Sequence, residues 1–310
     1  MMAWVPRNPL PVTGIGDPFI LKDAERYYLY ATSKPDGFLV WQSRDLYTWS
    51  EPAVCYQATQ NSFGSGSFWA PEVYCFDGRY YMYYTAQWKR YQDEALRLGV
   101  AVANSPLGPF IDATGDQPMF DPGYGVLDGH VFTDDGGQRY LYYSCAGHDH
   151  IVNGAHEADI YGIWLGKDLL SVEGEPQLLI QTDQAWERQG NAKQFWNEGP
   201  FMLKHEGRYH LMYSANYFGS RWYGVGAAVG ASPMGPFSKY SNNPILRYLE
   251  GKVSGPGHHC VIEAPDGGLL CVYHAHTDYD HPSGNRQLYI DRLVFRDGKV
   301  CILGPTVSDR

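Results

Sequence analysis

One phrase recurs five times along the chain: an apolar run, a turn rich in Asp, Glu, Gly or Pro, then a second run rich in aromatics. The copies are DPFILKDAERYYLYATS from Asp17, WAPEVYCFDGRYYMYYTA from Trp69 and DGHVFTDDGGQRYLYYSC from Asp128, followed by EGPFMLKHEGRYHLMYSAN from Glu198 and HHCVIEAPDGGLLCVYHAH from His258. Each reads as a β-hairpin, because two strand-like runs flank a tight-turn sequence. Further strand-like segments follow several copies, and two of them end in near-duplicates, SPLGPF (Ser105 to Phe110) and SPMGPF (Ser232 to Phe237). Aligning the second strands puts Leu29, Met82, Leu141, Leu211 and Cys271 in one column, at spacings of 53, 59, 70 and 60 residues. Repeats of this length with three or four strands each predict propeller blades. A two-sheet sandwich would supply the alternation and the turns, but no reason for five similar hairpins. The expectation is an all-β, five-bladed β-propeller, a single domain over residues 1–310, with extra loop in the longest interval, between Cys145 and Asn197.

Composition fits short strands: aromatics make up 15% of the chain, with 35 Gly and 20 Pro to turn it. The net charge is −10 and no basic block occurs, which argues against nucleic acid and anionic membranes as partners. No apolar stretch of about 18 residues is present to span a bilayer. The opening MMAWVPRNPLPVTG lacks a charged start followed by an apolar core, so the expected location is cytoplasmic as written, or secreted if a leader has been trimmed. Six widely spaced cysteines without a CxxC pair read as free thiols, with Cys75, Cys145, Cys260 and Cys271 in or beside apolar strands and expected to be buried.

Inner strands of a propeller start together on one face. Counting back 13 residues from the column lands on Trp69, Asp128, Glu198 and His258, and Asp17 lies 12 back from Leu29. Taken singly, an acid beside Pro or Gly is most often a turn residue. Three carboxyls at equivalent places in three repeats are different, because like charges in one pocket raise each other's pKa and folding alone would not choose them. Glycosidic-bond hydrolysis would, since it needs one carboxylic acid to protonate the leaving oxygen and one carboxylate to activate water or attack. Trp69, with Phe68 beside it, is expected to offer an aromatic face to a sugar. His258 is expected to orient substrate or ligate a cation, and Arg286 to pair with Asp128 and hold a sugar hydroxyl. GVGAAVG (Gly224 to Gly230) reads as a strand, not a nucleotide loop, since no helix follows. His148, Asp149, His150 and His156 form a polar loop without a third placed metal ligand beyond its HxH, and are expected to be solvated. No GxSxG or HExxH occurs.

The motifs GDPF with Asp17, FWAPEV with Trp69, LDGHVF with Asp128, NEGPF with Glu198 and GPGHH with His258 come in order, each opening a repeat. In this the chain resembles glycoside hydrolase family 43, enzymes that trim arabinose and xylose from plant polysaccharides. The resemblance implies a five-bladed propeller and an inverting mechanism with no covalent intermediate and no cofactor required for the chemistry. It implies Asp17 as general base, Glu198 as general acid, and Asp128 as the group that tunes the acid's pKa and position. Trp69 and Arg286 would shape the terminal-sugar subsite, and plant-derived oligosaccharides would be the substrate. A structural calcium on the axis is known in some members, with His258 here as the candidate ligand. Asp128 is followed by Gly-His where many members have Pro, a departure at the local turn. Many β-xylosidases of the family add a C-terminal sandwich that this chain lacks. The expectation is therefore an α-L-arabinofuranosidase, with β-D-xylosidase or dual action, endo-arabinanase and a non-catalytic carbohydrate-binding propeller as alternatives. The WMNDPNG-type stretch of retaining invertase-like propellers is absent.

Overall fold

The computed structural model describes residues 4–91, 95–147, 150–190 and 193–308. Five antiparallel sheets surround one axis. Blade one is built from β1 (Gly16–Asp23), β2 (Arg26–Lys34), β3 (Gly37–Ser43) and β4 (Ala53–Gln57) in that order. Blade two is β5 (Gly64–Phe76), β6 (Arg79–Trp88), β7 (Leu96–Ala103) and β8 (Ile111–Asp112). Blade three begins with β9 (Val126–Thr133) and β10 (Arg139–Cys145). The chain then leaves to form a small hairpin, β11 (Ile151–Val152) and β12 (Ala155–Ala158), and returns to complete the blade with β13 (Ile160–Leu165) and β14 (Val172–Ile180). Blade four is β15 (Gln194–His205), β16 (Arg208–Ala215), β17 (Gly224–Gly230) and β18 (Phe237–Lys239), with β12 added in parallel to β15. Blade five is β19 (Gly257–Glu263), β20 (Leu269–His276), β21 (Arg286–Arg296) and β22 (Lys299–Ile302). The extra length expected after Cys145 is the β11–β12 hairpin and a 3-10 turn at Ala185–Arg188.

The column residues Leu29, Met82, Leu141, Leu211 and Cys271 are all fully buried on the second strands. Beside them stand buried tyrosines whose hydroxyls need partners. Tyr30 donates to the Pro106 carbonyl of the next blade at 2.5 Å, and Tyr142 to that of Pro233 at 2.9 Å. These carbonyls belong to the duplicated SPLGPF and SPMGPF turns, so the duplication answers a repeated interface requirement. GVGAAVG is β17, as expected. All six cysteines are free, but Cys75 is exposed, against the expectation of burial: it lies two residues before the Asp77-Gly78 turn, at the blade rim.

Every inner strand carries a β-bulge at its axial end, with a residue in the left-handed region: Asp17 (φ 52°), Ala70 (46°), Asp128 (58°), Gly199 (56°) and His258 (46°). A bulge releases its residue from the ladder, and the freed N–H turns to the preceding blade. The N–H of Ala70 donates to Thr32 Oγ1 (2.9 Å), that of Asp128 to Thr85 Oγ1 (3.0 Å) and that of His258 to Ser214 Oγ (2.8 Å). The N–H of Asp17 donates to His274 Nδ1 (3.1 Å), which links blade five back to blade one.

The ring is also closed by the segment before β1. Leu10 N–H donates to the Leu288 carbonyl and Gly14 N–H to that of Arg286, while Leu288 N–H donates to Val12. Buried Asn8 caps this seam, its side chain taking the Ile290 N–H (2.8 Å) and donating to the Ile290 carbonyl (3.0 Å). Asn8→Ala leaves a buried backbone donor and acceptor unpartnered. It is expected to cost about 2–4 kcal/mol, read as a lower midpoint in denaturant with an unchanged slope.

Candidate active site

The five bulges place their neighbours around one funnel. Sequence counting puts Asp17, Trp69, Asp128, Glu198 and His258 at one equivalent position, and the register corrects this. Asp17, Asp128 and His258 are the bulge residues, whereas Trp69 and Glu198 stand one residue earlier, paired with Thr85 and Ser214. The reason is the hairpin turns. Val131–Leu141 and Val261–Cys271 pair across one residue more than Ile20–Leu29, Val73–Met82 and Met202–Leu211. The pre-bulge position in blades one and five is glycine, for a steric reason. A Cβ on Gly16 would lie 2.0 Å from Arg286 Nη2, and one on Gly257 would lie 2.4 Å from Tyr223 Cε1.

Asp17, Asp128 and Glu198 all line one cavity of about 370 Å³, together with Trp69, Arg286 and His258. Asp17 accepts from Arg286 Nη1 at 3.0 Å and from Thr32 Oγ1 at 2.5 Å, and His258 Nδ1 lies 3.3 Å from its Oδ1. Burial pushes the Asp17 carboxyl up, but Arg286, His258, His274 and the Thr32 hydroxyl together hold it well below the usual carboxylate range. Burial drives both histidines toward their neutral form, so the permanent charge of Arg286 dominates at neutral pH.

The other two carboxyls form no ion pair among the described residues. Asp128 accepts the Gly199 N–H at 3.1 Å, and its pKa is raised well above the ordinary value by burial and then by the charges of Glu198 and Asp17. Glu198 accepts the Tyr223 hydroxyl at 2.6 Å. Burial, reinforced by Asp17 and opposed by that bond and by the Arg286 guanidinium, brings it up to about 7. One cavity thus holds one carboxyl kept below the ordinary range and two pushed above it. That division of proton affinity is what acid–base cleavage of an acetal requires.

Two expectations about partners change. Arg286 pairs with Asp17, not with Asp128, because Gly16 opens a path to that carboxylate. Phe68 does not reach the cavity: successive strand residues face opposite ways, and while Trp69 lines the funnel, Phe68 is 1% exposed and packs on Phe38, Tyr56 and Tyr84. Calcium takes six to eight oxygen ligands. Among the described residues no three His, Cys, Asp or Glu side chains are placed to hold one ion, and the His258 nitrogen facing Asp17 shares that oxygen with the Arg286 guanidinium. Of the polar loop, His148 and Asp149 lie outside the described residues, His150 faces Asp159 at 3.3 Å, and His156 Nδ1 meets the Gly147 carbonyl at 3.1 Å.

Several cavity residues escaped the sequence reading. Trp196 lies two before Glu198 and so faces the same side, a signal that strand alternation could have supplied. Phe218, stacked under Arg286 at 4.9 Å, comes from the loop after β16 and carried no such signal. Tyr223 and His274 hold the carboxyl residues from outside the cavity.

The glycosyl hydrolases family 43 model matches residues 6–300. A crystal structure of a thermostable family-43 glycoside hydrolase superposes with a TM-score of 0.93 at 43% identity, covering 99% of this chain and 98% of that one. An extracellular exo-α-(1→5)-L-arabinofuranosidase of Streptomyces chartreusis is 30% identical over 86% of this chain and 81% of its own length. A β-D-galactofuranosidase of Aspergillus niger is 27% identical over 94% of this chain and 82% of its own. The matched span takes in all five bulges and the three carboxyls they deliver to one cavity, and the chain belongs to glycosyl hydrolases family 43.

Proposed function

We propose that this glycosidase removes terminal α-L-arabinofuranosyl units from plant-polysaccharide-derived oligosaccharides, with inversion at the anomeric carbon. The observation that carries the reading is the single cavity lined by both Asp17, ion-paired with Arg286, and Glu198, whose carboxyl burial pushes up to about 7. In this mechanism Glu198 protonates the departing glycosidic oxygen while Asp17 takes a proton from the attacking water. Asp128 keeps the acid's proton on at neutral pH and, through the Gly199 N–H, fixes the backbone next to it. Trp69, Trp196 and Phe218 surround the sugar, and Arg286 and His258 stand beside the base to meet its hydroxyls.

Two features support a furanoside and exo attack. The two curated relatives above are both named for furanosides. α-L-Arabinofuranose has the ring configuration of β-D-galactofuranose without its exocyclic hydroxymethyl carbon, so one pocket shape serves both rings. Gly147 and Ala158, which bracket the β11–β12 hairpin, line the cavity beside Gln194 and Trp196. The hairpin therefore walls off the funnel on the blade three to four side, where a long polymer would otherwise continue.

The test compares nitrophenol release from the α-L-arabinofuranoside, the β-D-galactofuranoside and the β-D-xylopyranoside. The arabinofuranoside is expected to be fastest; a faster xyloside would reassign the sugar. Asp17→Ala is expected to lose about 10²–10⁴-fold on every substrate. Glu198→Ala should lose that much on an arabino-oligosaccharide but less on the nitrophenyl glycoside, whose leaving group departs without protonation. NMR of the fresh product should show the β-anomer, and the α-anomer would refute inversion.

The pH profile of kcat/KM should have its alkaline limb near pH 7, because activity falls as Glu198 loses its proton. Its acidic limb should lie below the usual carboxylate range, because Asp17 stays ionised there. A profile with no fall between about pH 6 and 9 would remove Glu198 from the acid role.

A further inference from the structure

The repeat frame shows where the protein departs from its own pattern. At the axis, the second-strand residue paired with the pre-bulge position is Thr32, Thr85, Ser144 and Ser214 in blades one to four. In blade five it is His274, paired with Gly257. A hydroxyl would be enough to accept the next blade's N–H, as Thr32, Thr85 and Ser214 do. His274 accepts the N–H of Asp17 in the same way, so the seam between blades does not itself require an imidazole.

What the imidazole adds is a flat face. The Tyr223 ring lies parallel to it, with 3° between planes and 5.6 Å between centroids. On its other flank the ring passes the bare Cα of Gly257, where any Cβ would sit 2.4 Å from Tyr223 Cε1. Fully buried Tyr223 then donates its hydroxyl to Glu198 Oε1 at 2.6 Å. Burial and the neighbouring Arg286 guanidinium keep the His274 ring neutral, which leaves Nδ1 able to accept from Asp17. A continuous path therefore runs from the Asp17 backbone through His274 and Tyr223 to the Glu198 carboxyl, and neither linking residue lines the cavity.

We propose that His274 and Tyr223 are positioning residues that tie the Glu198 carboxyl to the Asp17 backbone, so that acid and base hold one mutual geometry. The proposal rests on the reading of Asp17 and Glu198 as base and acid. The acid's surroundings are Tyr223 ahead of β17, Asp17 from β1, Asp128 from β9 and Arg286 from β21. Of these, Tyr223 alone makes a hydrogen bond to Glu198 among the described residues. A donor to a carboxylate favours its ionised form. Losing the hydroxyl should therefore raise the pKa of Glu198 and move the alkaline limb of the rate profile to higher pH.

Two substitutions separate positioning from plain packing. His274→Ser supplies the hydroxyl that blades one, two and four already use, so the seam keeps an acceptor while the stacking face is lost. It is expected to unfold cooperatively and to lose about tenfold or more in kcat with KM within about twofold. Tyr223→Phe keeps the ring and removes one oxygen. It is expected to shift the alkaline limb upward by about half to one pH unit and to lower kcat. The double variant should be little worse than the more severe single one, because both cut the same path. Wild-type kcat and an unshifted limb in both single variants would overturn the proposal. If His274→Ser does not fold, Tyr223→Phe decides alone, since its ring still fills the space. Glu198→Ala runs alongside: full activity there removes the acid assignment and this proposal with it. Loss there with wild-type behaviour in both single variants removes this proposal alone.

Discussion

The left-handed residue in each inner strand is the constraint from which the site follows. Five strands converging on one axis cannot all continue their ladders to the end, and each yields one residue to a bulge. Asp adopts positive φ more readily than most residues, but Ala70 and His258 are there as well. Such backbone costs of order 1–3 kcal/mol per residue and persists only where the surroundings over-determine it. Here the surroundings are the neighbouring blades, which accept the freed N–H groups. The same bulge that joins the blades turns Asp17, Asp128 and His258 into the funnel, so assembly of the ring and assembly of the site are one event.

Electrostatics then divides the labour. Of three buried carboxyls, Asp17 alone among the described residues forms an ion pair with Arg286. Had it paired with Asp128, that group would be the ionised one and Asp17 would carry a raised pKa with the rest. The absence of a side chain at Gly16 settles the matter sterically, since a Cβ there would occupy the guanidinium. The carboxyl held low is thus set apart from the two pushed high by a glycine next to it on β1, which leaves room for the guanidinium.

What was legible in the sequence is what the repeat carries. Leu29, Met82, Leu141, Leu211 and Cys271 could be aligned because every blade needs a buried residue there, and the acids could be found by counting from them. The count slipped by one at Trp69 and Glu198 because turn length enters it, and a single extra turn residue leaves no hydrophobic trace. Phe68 was misread for a related reason: adjacency in the chain means opposition across a strand. The partner of Arg286 was illegible, because pairing over 269 residues depends on which blades meet at the closure. Phe218 and Tyr223 sit in a connection outside the repeat, where no second copy exists to compare with.

Blade five shows why departures from a repeat are informative together and not singly. His274 without the bare Cα of Gly257 would leave no room for Tyr223, and Gly257 without His274 would leave the ring unsupported on one face. Tyr223 without either would have no reason to enter the axis, where its hydroxyl finds Glu198 of its own blade. Interblade adhesion explains none of the three, because a serine or threonine serves that purpose at Thr32, Thr85 and Ser214. The three exceptions fit one another sterically, and together they place one hydroxyl against one carboxyl oxygen of Glu198.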